Sequence, residues 1–141
     1  MPKRAEKTDS LAATVLLVDD EDSVRALLTR YLSLSGYRVL TAGDTQSALA
    51  LWDAHHDEIR LLLTDVVMPH GLGGRELAAQ LQVQKPSLAV IYTSGYNIEW
   101  AGETDPYGRE VHFLQKPYYP TQLLEMVHAA LLAPVPGQDV C

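Results

Sequence analysis

The chain has 141 residues, 47% of them hydrophobic and 21% charged, with a net charge of −7. That length fits one domain with a core of its own, and the balance is that of a globular chain rather than a disordered one. The acidic charge speaks against a nucleic-acid surface, no apolar run approaches the about 18 residues of a membrane helix, and the single cysteine, Cys141, excludes an internal disulfide.

Residues 1–13 are polar and mixed in charge and read as a flexible leader without a signal-type apolar stretch, so the cytoplasm is the expected compartment. Val15-Leu-Leu-Val18 is an apolar run ending in acids and reads as a first strand. Val24, Leu27, Leu28, Tyr31 and Leu32 follow at helical spacing, and Gly36 stops that helix. Tyr37 to Ala42 reads as a second strand. Ala48, Leu51 and Trp52 lie on one helical face behind a cap at Asp44 or Thr45. Leu61-Leu-Leu63 is a buried-type strand running into Thr64-Asp65, and Leu77, Ala78 and Leu81 mark a helix. Ala89 to Tyr92 and Val111 to Leu114 read as the last two strands. The final helix opens at Pro120 and carries Leu124, Val127 and Leu131 on one face. Between Tyr96 and Arg109 a fourth helix is due, but Gly102, Pro106 and Gly108 interrupt it, so a short or irregular helix and a loop are expected. From residue 134 the Pro/Gly-rich end reads as a flexible tail, which leaves 14–133 as the domain.

Strand–helix alternation with apolar strands points to an α/β fold, a doubly wound five-stranded parallel sheet with helices on both faces. In such a sheet, ligands bind beyond the carboxyl ends of the strands. Those ends carry Asp19, Asp20 and Glu21 after the first strand, Asp65 after the third, Thr93 and Ser94 after the fourth, and Lys116-Pro117 after the fifth. Carboxylates crowded on one rim repel each other unless a cation joins them, and hard oxygen donors with vacant positions suit Mg²⁺. With the cation in place, Asp65 is able to attack a phosphoryl group, and Lys116 and Ser94 are suited to hold its oxygens.

The four segments Val15-Leu-Leu-Val-Asp-Asp-Glu21, Leu61-Leu-Leu-Thr-Asp-Val-Val-Met-Pro69, Tyr92-Thr-Ser-Gly-Tyr96 and Phe113-Leu-Gln-Lys-Pro-Tyr118 resemble the signatures of two-component response-regulator receiver domains. The resemblance spans roughly residues 14 to 133. It implies a flavodoxin-like sheet in the order 2-1-3-4-5. It also implies that Asp65 is the phosphoacceptor, Asp20 a direct Mg²⁺ ligand, Asp19 an acid acting through metal-bound water, and Val67 a ligand through its backbone carbonyl. Ser94, which precedes Gly95, matches the switch hydroxyl; Thr93 stands one position early. Lys116 matches the family lysine, and Phe113 the aromatic switch position. Val67 and Tyr96, two residues after the acceptor and two after the switch hydroxyl, are the positions expected to tune the lifetime of the phosphoryl group. The stretch from Asp65 to Gly74 looks one residue longer than in many free-standing receivers. With Thr-Ser-Gly-Tyr, it looks more like receivers attached to hybrid histidine kinases.

Taken singly, these residues have plainer explanations. Asp19 to Asp22 would serve as dipole-compensating acids at a helix start, Ser94 as a turn residue, and Phe113 and Trp52 as core. Their coincidence on one rim favours function. His70 reads as a solvated loop residue, and His55, His56, His112 and His128 show no ligand spacing. A phosphorylation-independent pseudo-receiver is the main rival. An aspartyl-phosphate hydrolase lacks its second acid, since Val67 stands there, and no G-x-G-x-x-G follows the first strand. The expected role is that of a signalling phosphoacceptor rather than a metabolic enzyme. Its partners would be a sensor histidine kinase, a histidine phosphotransfer protein or a second receiver, with no membrane and no direct nucleic-acid contact.

Overall fold

A computed structural model describes residues 13–67, 73–95 and 111–132. Five strands, β1 (Thr14–Val18), β2 (Arg38–Ala42), β3 (Ile59–Asp65), β4 (Ala89–Ser94) and β5 (His112–Gln115), form one parallel sheet in the order β2-β1-β3-β4-β5. Four helices are present among the described residues: α1 (Asp22–Leu34), α2 (Thr45–His55), α3 (Gly74–Gln84) and α4 (Pro120–Leu132). The helix expected between Tyr96 and Arg109 lies outside the described residues, as do nearly all of the leader and the tail. Ala13, placed at the end of the leader by sequence, is buried, and its carbonyl accepts from the Arg38 amide at 3.1 Å.

Side chains alternate across a strand, and that period divides the core in two. Val15, Leu17, Leu61, Leu63, Ala89, Ile91 and Leu114 face Leu28 and Leu32 of α1 and Leu123, Val127 and Ala130 of α4. Leu16, Val18, Ala42, Leu62, Val90 and Tyr92 face Ala48 and Trp52 of α2 and Leu77, Ala78 and Leu81 of α3. Each fully buried leucine contributes about 1.5–3 kcal/mol, so the layered core is what holds the strand ends in register. The β2 strand departs from the expected all-apolar pattern. It is an edge strand, and Arg38 and Thr41 are exposed.

The helix ends follow local chemistry. Asp44 caps α2 by accepting from the Ser47 amide at 2.7 Å. Gly36, at φ 97°, closes α1, with the Tyr37 amide bonded to the Leu32 carbonyl and the Gly36 amide to that of Ser33. Two faces differ from the sequence expectation. Leu27 is 49% exposed, and the buried stripe of α4 runs through Leu123, Val127 and Ala130, with Leu124 and Leu131 only partly covered. Helical spacing alone allows either neighbouring stripe, and the sheet selects one. No helix among the described residues is long and apolar enough to cross a membrane.

Candidate functional site

The site lies where β1, β3 and β5 end. Register pairs Val18 with Thr64 and Asp65 with Thr93, so the residues following β1 and those closing β3 and β4 reach the same rim. Lys116, just past β5, is tied to that rim by its backbone, since its amide donates to the Ser94 carbonyl at 2.8 Å. The Lys116–Pro117 peptide is cis.

Three side chains meet there. Lys116 Nζ lies 3.1 Å from Asp19 Oδ2 and 3.3 Å from Asp65 Oδ2. Asp19 is 1% exposed, its second oxygen Oδ1 accepting from the Glu21 amide at 3.0 Å. Asp65 is buried too, and its Oδ1 lies 3.4 Å from the Val67 amide. Asp20 is exposed beside them, and one carboxylate oxygen from each of Asp19, Asp20 and Asp65 lies within 4.8 Å of the others.

The charges act on one another. Burial pushes the Asp65 carboxyl above the usual range; the Lys116 ammonium pulls it back, and the Asp19 carboxylate pushes it up again. For Lys116, burial acts downward, but the hydrogen bond and charge of Asp19, with Asp65 behind them, outweigh it and hold the ammonium above the ordinary lysine value. Burial pushes the Tyr118 hydroxyl up to about 12; Lys116 opposes this and the two aspartates add to it. One ammonium, in contact with Asp19 and Asp65, thus stands beside a cluster of three carboxylates, an excess of negative charge made of hard oxygen donors, and such a set fits a divalent cation such as Mg²⁺.

The remaining predicted residues take different places. Ser94 is fully buried at the end of β4, and Phe113 is half-buried in β5, packed against the core cluster that contains Leu16 and Trp52. Val67 is 53% exposed. Tyr96 and His70 lie outside the described residues. The sequence assigns no role of their own to three neighbours. Arg25 donates through Nη1 to the Asp19 carbonyl at 2.7 Å, and its i,i+3 spacing from Asp22 was the available signal. Gly74 starts α3 with its amide on the Val66 carbonyl at 2.9 Å, and nothing in the sequence showed how closely it approaches β3. Tyr118 follows Lys116-Pro117 directly and packs against the core cluster of Val15 and Leu17.

Comparison with known proteins gives a consistent picture. The model of the response regulator receiver domain matches residues 15–128. The chain is 35% identical over 131 residues to the sensor kinase CckA of Brucella abortus, which covers 92% of this chain but 14% of that protein. It is 32% identical over 127 residues to the DNA-binding transcriptional regulator NtrC of Azospirillum brasilense, covering 89% of this chain and 25% of the relative. Among solved structures, the receiver domain of a hybrid histidine kinase CckA superposes with a TM-score of 0.70 at 34% identity, over 84% of this chain and 99% of that one. The chemotaxis protein CheY4 of Vibrio cholerae gives a TM-score of 0.73 at 26% identity, over 84% and 98%.

Proposed function

This chain belongs to the response regulator receiver domain family of two-component signalling, and from that premise we propose that Asp65 accepts a phosphoryl group from a phosphohistidine. The donor would be a sensor histidine kinase or a histidine phosphotransfer protein. The observation that carries this reading is the single ammonium shared by two buried carboxylates, Lys116 Nζ at 3.1 Å from Asp19 and 3.3 Å from Asp65.

Asp19, Asp20, Asp65 and the Val67 carbonyl are the groups that would hold Mg²⁺. When bound, the ion offsets the excess negative charge and draws charge from the phosphoryl oxygens. The protein's own groups do the rest. Asp65 offers the oxygen that forms the new O–P bond as the donor's N–P bond breaks, and the imidazole leaves with the electron pair and takes a proton from water. Lys116 moves from neutralising Asp65 to holding an entering phosphoryl oxygen, and the Ser94 hydroxyl holds another. Phe113, on the strand that leads to Lys116, would pass the change to the β5 edge and the segment before it. Val67 and Tyr96 would set how readily water reaches the acyl phosphate. The domain would thus catalyse its own phosphorylation and dephosphorylation.

The test is labelling with a small phosphodonor and Mg²⁺. The wild-type chain should take up one alkali-labile phosphoryl group, and Asp65→Asn should take up none. Stoichiometric labelling of Asp65→Asn moves the nucleophile elsewhere and overturns the reading.

A further inference from the structure

Asp19 is fixed on every side. Its amide donates to the Ala42 carbonyl at 3.1 Å, its carbonyl accepts from Arg25 Nη1 at 2.7 Å, and its carboxylate is held by the Glu21 amide and Lys116. Asp20 next to it is exposed. The peptide between them is planar, so anchoring the amide and the carbonyl of Asp19 also settles where the Cα of Asp20 stands and where its side chain starts. One of those two anchors is a side chain.

We propose that Arg25 is a positioning residue for the cation-binding acids: it holds the Asp19–Asp20 peptide in place, and Gly43 leaves the room in which its guanidinium sits. The inference rests on the functional reading above. Arg25 suits the task because its fork reaches two acceptors at once, Nη1 on the Asp19 carbonyl and Nη2 on the Asp22 carboxylate. The Arg25 side chain is 22% exposed whereas that of Asp22 is 91% exposed, so the guanidinium is tucked in against the strand end with its charge partly offset from outside. A Cβ on Gly43 would stand 2.9 Å from Nη1 and 3.5 Å from Cζ. Gly43 follows Ala42, whose carbonyl holds the Asp19 amide, so both anchors of the Asp19 backbone converge at this corner.

Charge and position make opposite predictions. A positive group behind three carboxylates weakens their hold on a second cation, so removing it for charge alone would tighten Mg²⁺ binding. Removing a positioning group would weaken it, and losses of about 10-fold are typical of such supporting contacts.

The experiment is calorimetric titration of the full chain with Mg²⁺, with labelling by a small phosphodonor run across the same Mg²⁺ range. Arg25→Ala should weaken Mg²⁺ binding about 10-fold, with the labelling rate recovering at saturating Mg²⁺. Arg25→Lys should restore part of the affinity. Gly43→Ala, which displaces only the far end of a flexible side chain, should weaken binding in the same direction, and adding it to Arg25→Ala should change nothing more. Mg²⁺ binding as tight in Arg25→Ala as in wild type, or tighter, overturns the inference. So does a fall in the saturated labelling rate with no change in Mg²⁺ affinity. If Arg25→Ala does not fold, Gly43→Ala and Arg25→Lys decide: weaker binding in either folded variant supports the proposal, and wild-type affinity in both ends it. A wild-type chain that binds no Mg²⁺ removes the functional reading itself, and the inference falls with it.

Discussion

A Cβ placed on Gly74 would lie 2.0 Å from the backbone carbonyl oxygen of Asp65 and 3.1 Å from Thr64 Oγ1. The first residue of α3 and the last of β3 therefore touch backbone to backbone, with no flexible group to yield. Gly74→Ala should destabilise the fold by about 1–3 kcal/mol, the usual cost of overpacking, and should slow labelling of Asp65 because the carboxylate moves with its backbone. Urea unfolding and the phosphodonor assay check the two effects. An unchanged unfolding midpoint would mean that the helix start has room to retreat.

Lys116 gives a prediction with two signs. Replacing it by methionine removes the ammonium shared by Asp19 and Asp65. Mg²⁺ should then bind more tightly, because the rim gains net negative charge, while the labelling rate should fall by on the order of 100-fold for want of a phosphoryl-holding cation. Calorimetry and labelling separate the two. Parallel losses in both would show that Lys116 shapes the site rather than serving the transferred group.

The two adjacent acids should differ. Asp20→Ala is expected to weaken Mg²⁺ more than Asp19→Ala, since direct ligation loses more than contact through a water, and since Asp19 is already engaged by Lys116 and the Glu21 amide. Mg²⁺ titration of each variant settles the order. Equal losses would mean that both ligate the ion in the same way.

The lifetime of the phosphoryl group should depend on Val67, which is exposed with its amide 3.4 Å from Asp65 Oδ1 and whose side chain offers water no hydrogen bond. Val67→Asn combined with Tyr96→Glu should speed loss of the label by roughly 10-fold, equivalent to about 1.4 kcal/mol of barrier. Decay after donor removal, in excess Mg²⁺, is the measurement. Equal decay in the two proteins would place lifetime control elsewhere.

Stability should fall as pH climbs past about 10, where an unfolded tyrosine ionises. Burial raises the Tyr37 hydroxyl above that value, so between the two pKa values only the unfolded chain gives up the proton, and unfolding gains. Tyr118 acts in the same sense. Tyr37→Phe should flatten part of the decline. Chemical denaturation between pH 8 and 11 (about the span of the unfolded tyrosine titration) checks it, and an identical slope in the variant would acquit Tyr37.

Much of the fold was legible because its signals are local. Gly36 and Asp44 mark helix ends through their own backbone chemistry, and Pro120 opens α4 where the sequence places it. The juxtaposition of Asp19, Asp65 and Lys116 was legible for a different reason. Asp19 and Asp65 stand 97 and 51 residues before Lys116, yet each of the three lies at the end of a strand, and a parallel sheet brings such ends to one rim. Contacts set by the path of the chain between elements were not legible. The closeness of Gly74 to Asp65 depends on how α3 meets β3, and the seat of Arg25 on how the segment after β2 passes α1. Leu27 failed for a related reason: spacing names an apolar stripe, but only the sheet decides which side of it is covered.

Trp52 is 1% exposed, and its indole Nε1 donates to Gln84 Oε1 at 2.9 Å, joining α2 to the last residue of α3. The chain therefore carries its own optical reporter. An indole sealed from solvent emits at short wavelength and is poorly reached by aqueous quenchers, and with Trp100→Phe it would be the sole tryptophan signal. Any motion that draws α3 away from α2 must break this bond and admit water, so a red shift and easier quenching would time that separation. An emission that stays constant on phosphorylation would instead show that these two helices travel together.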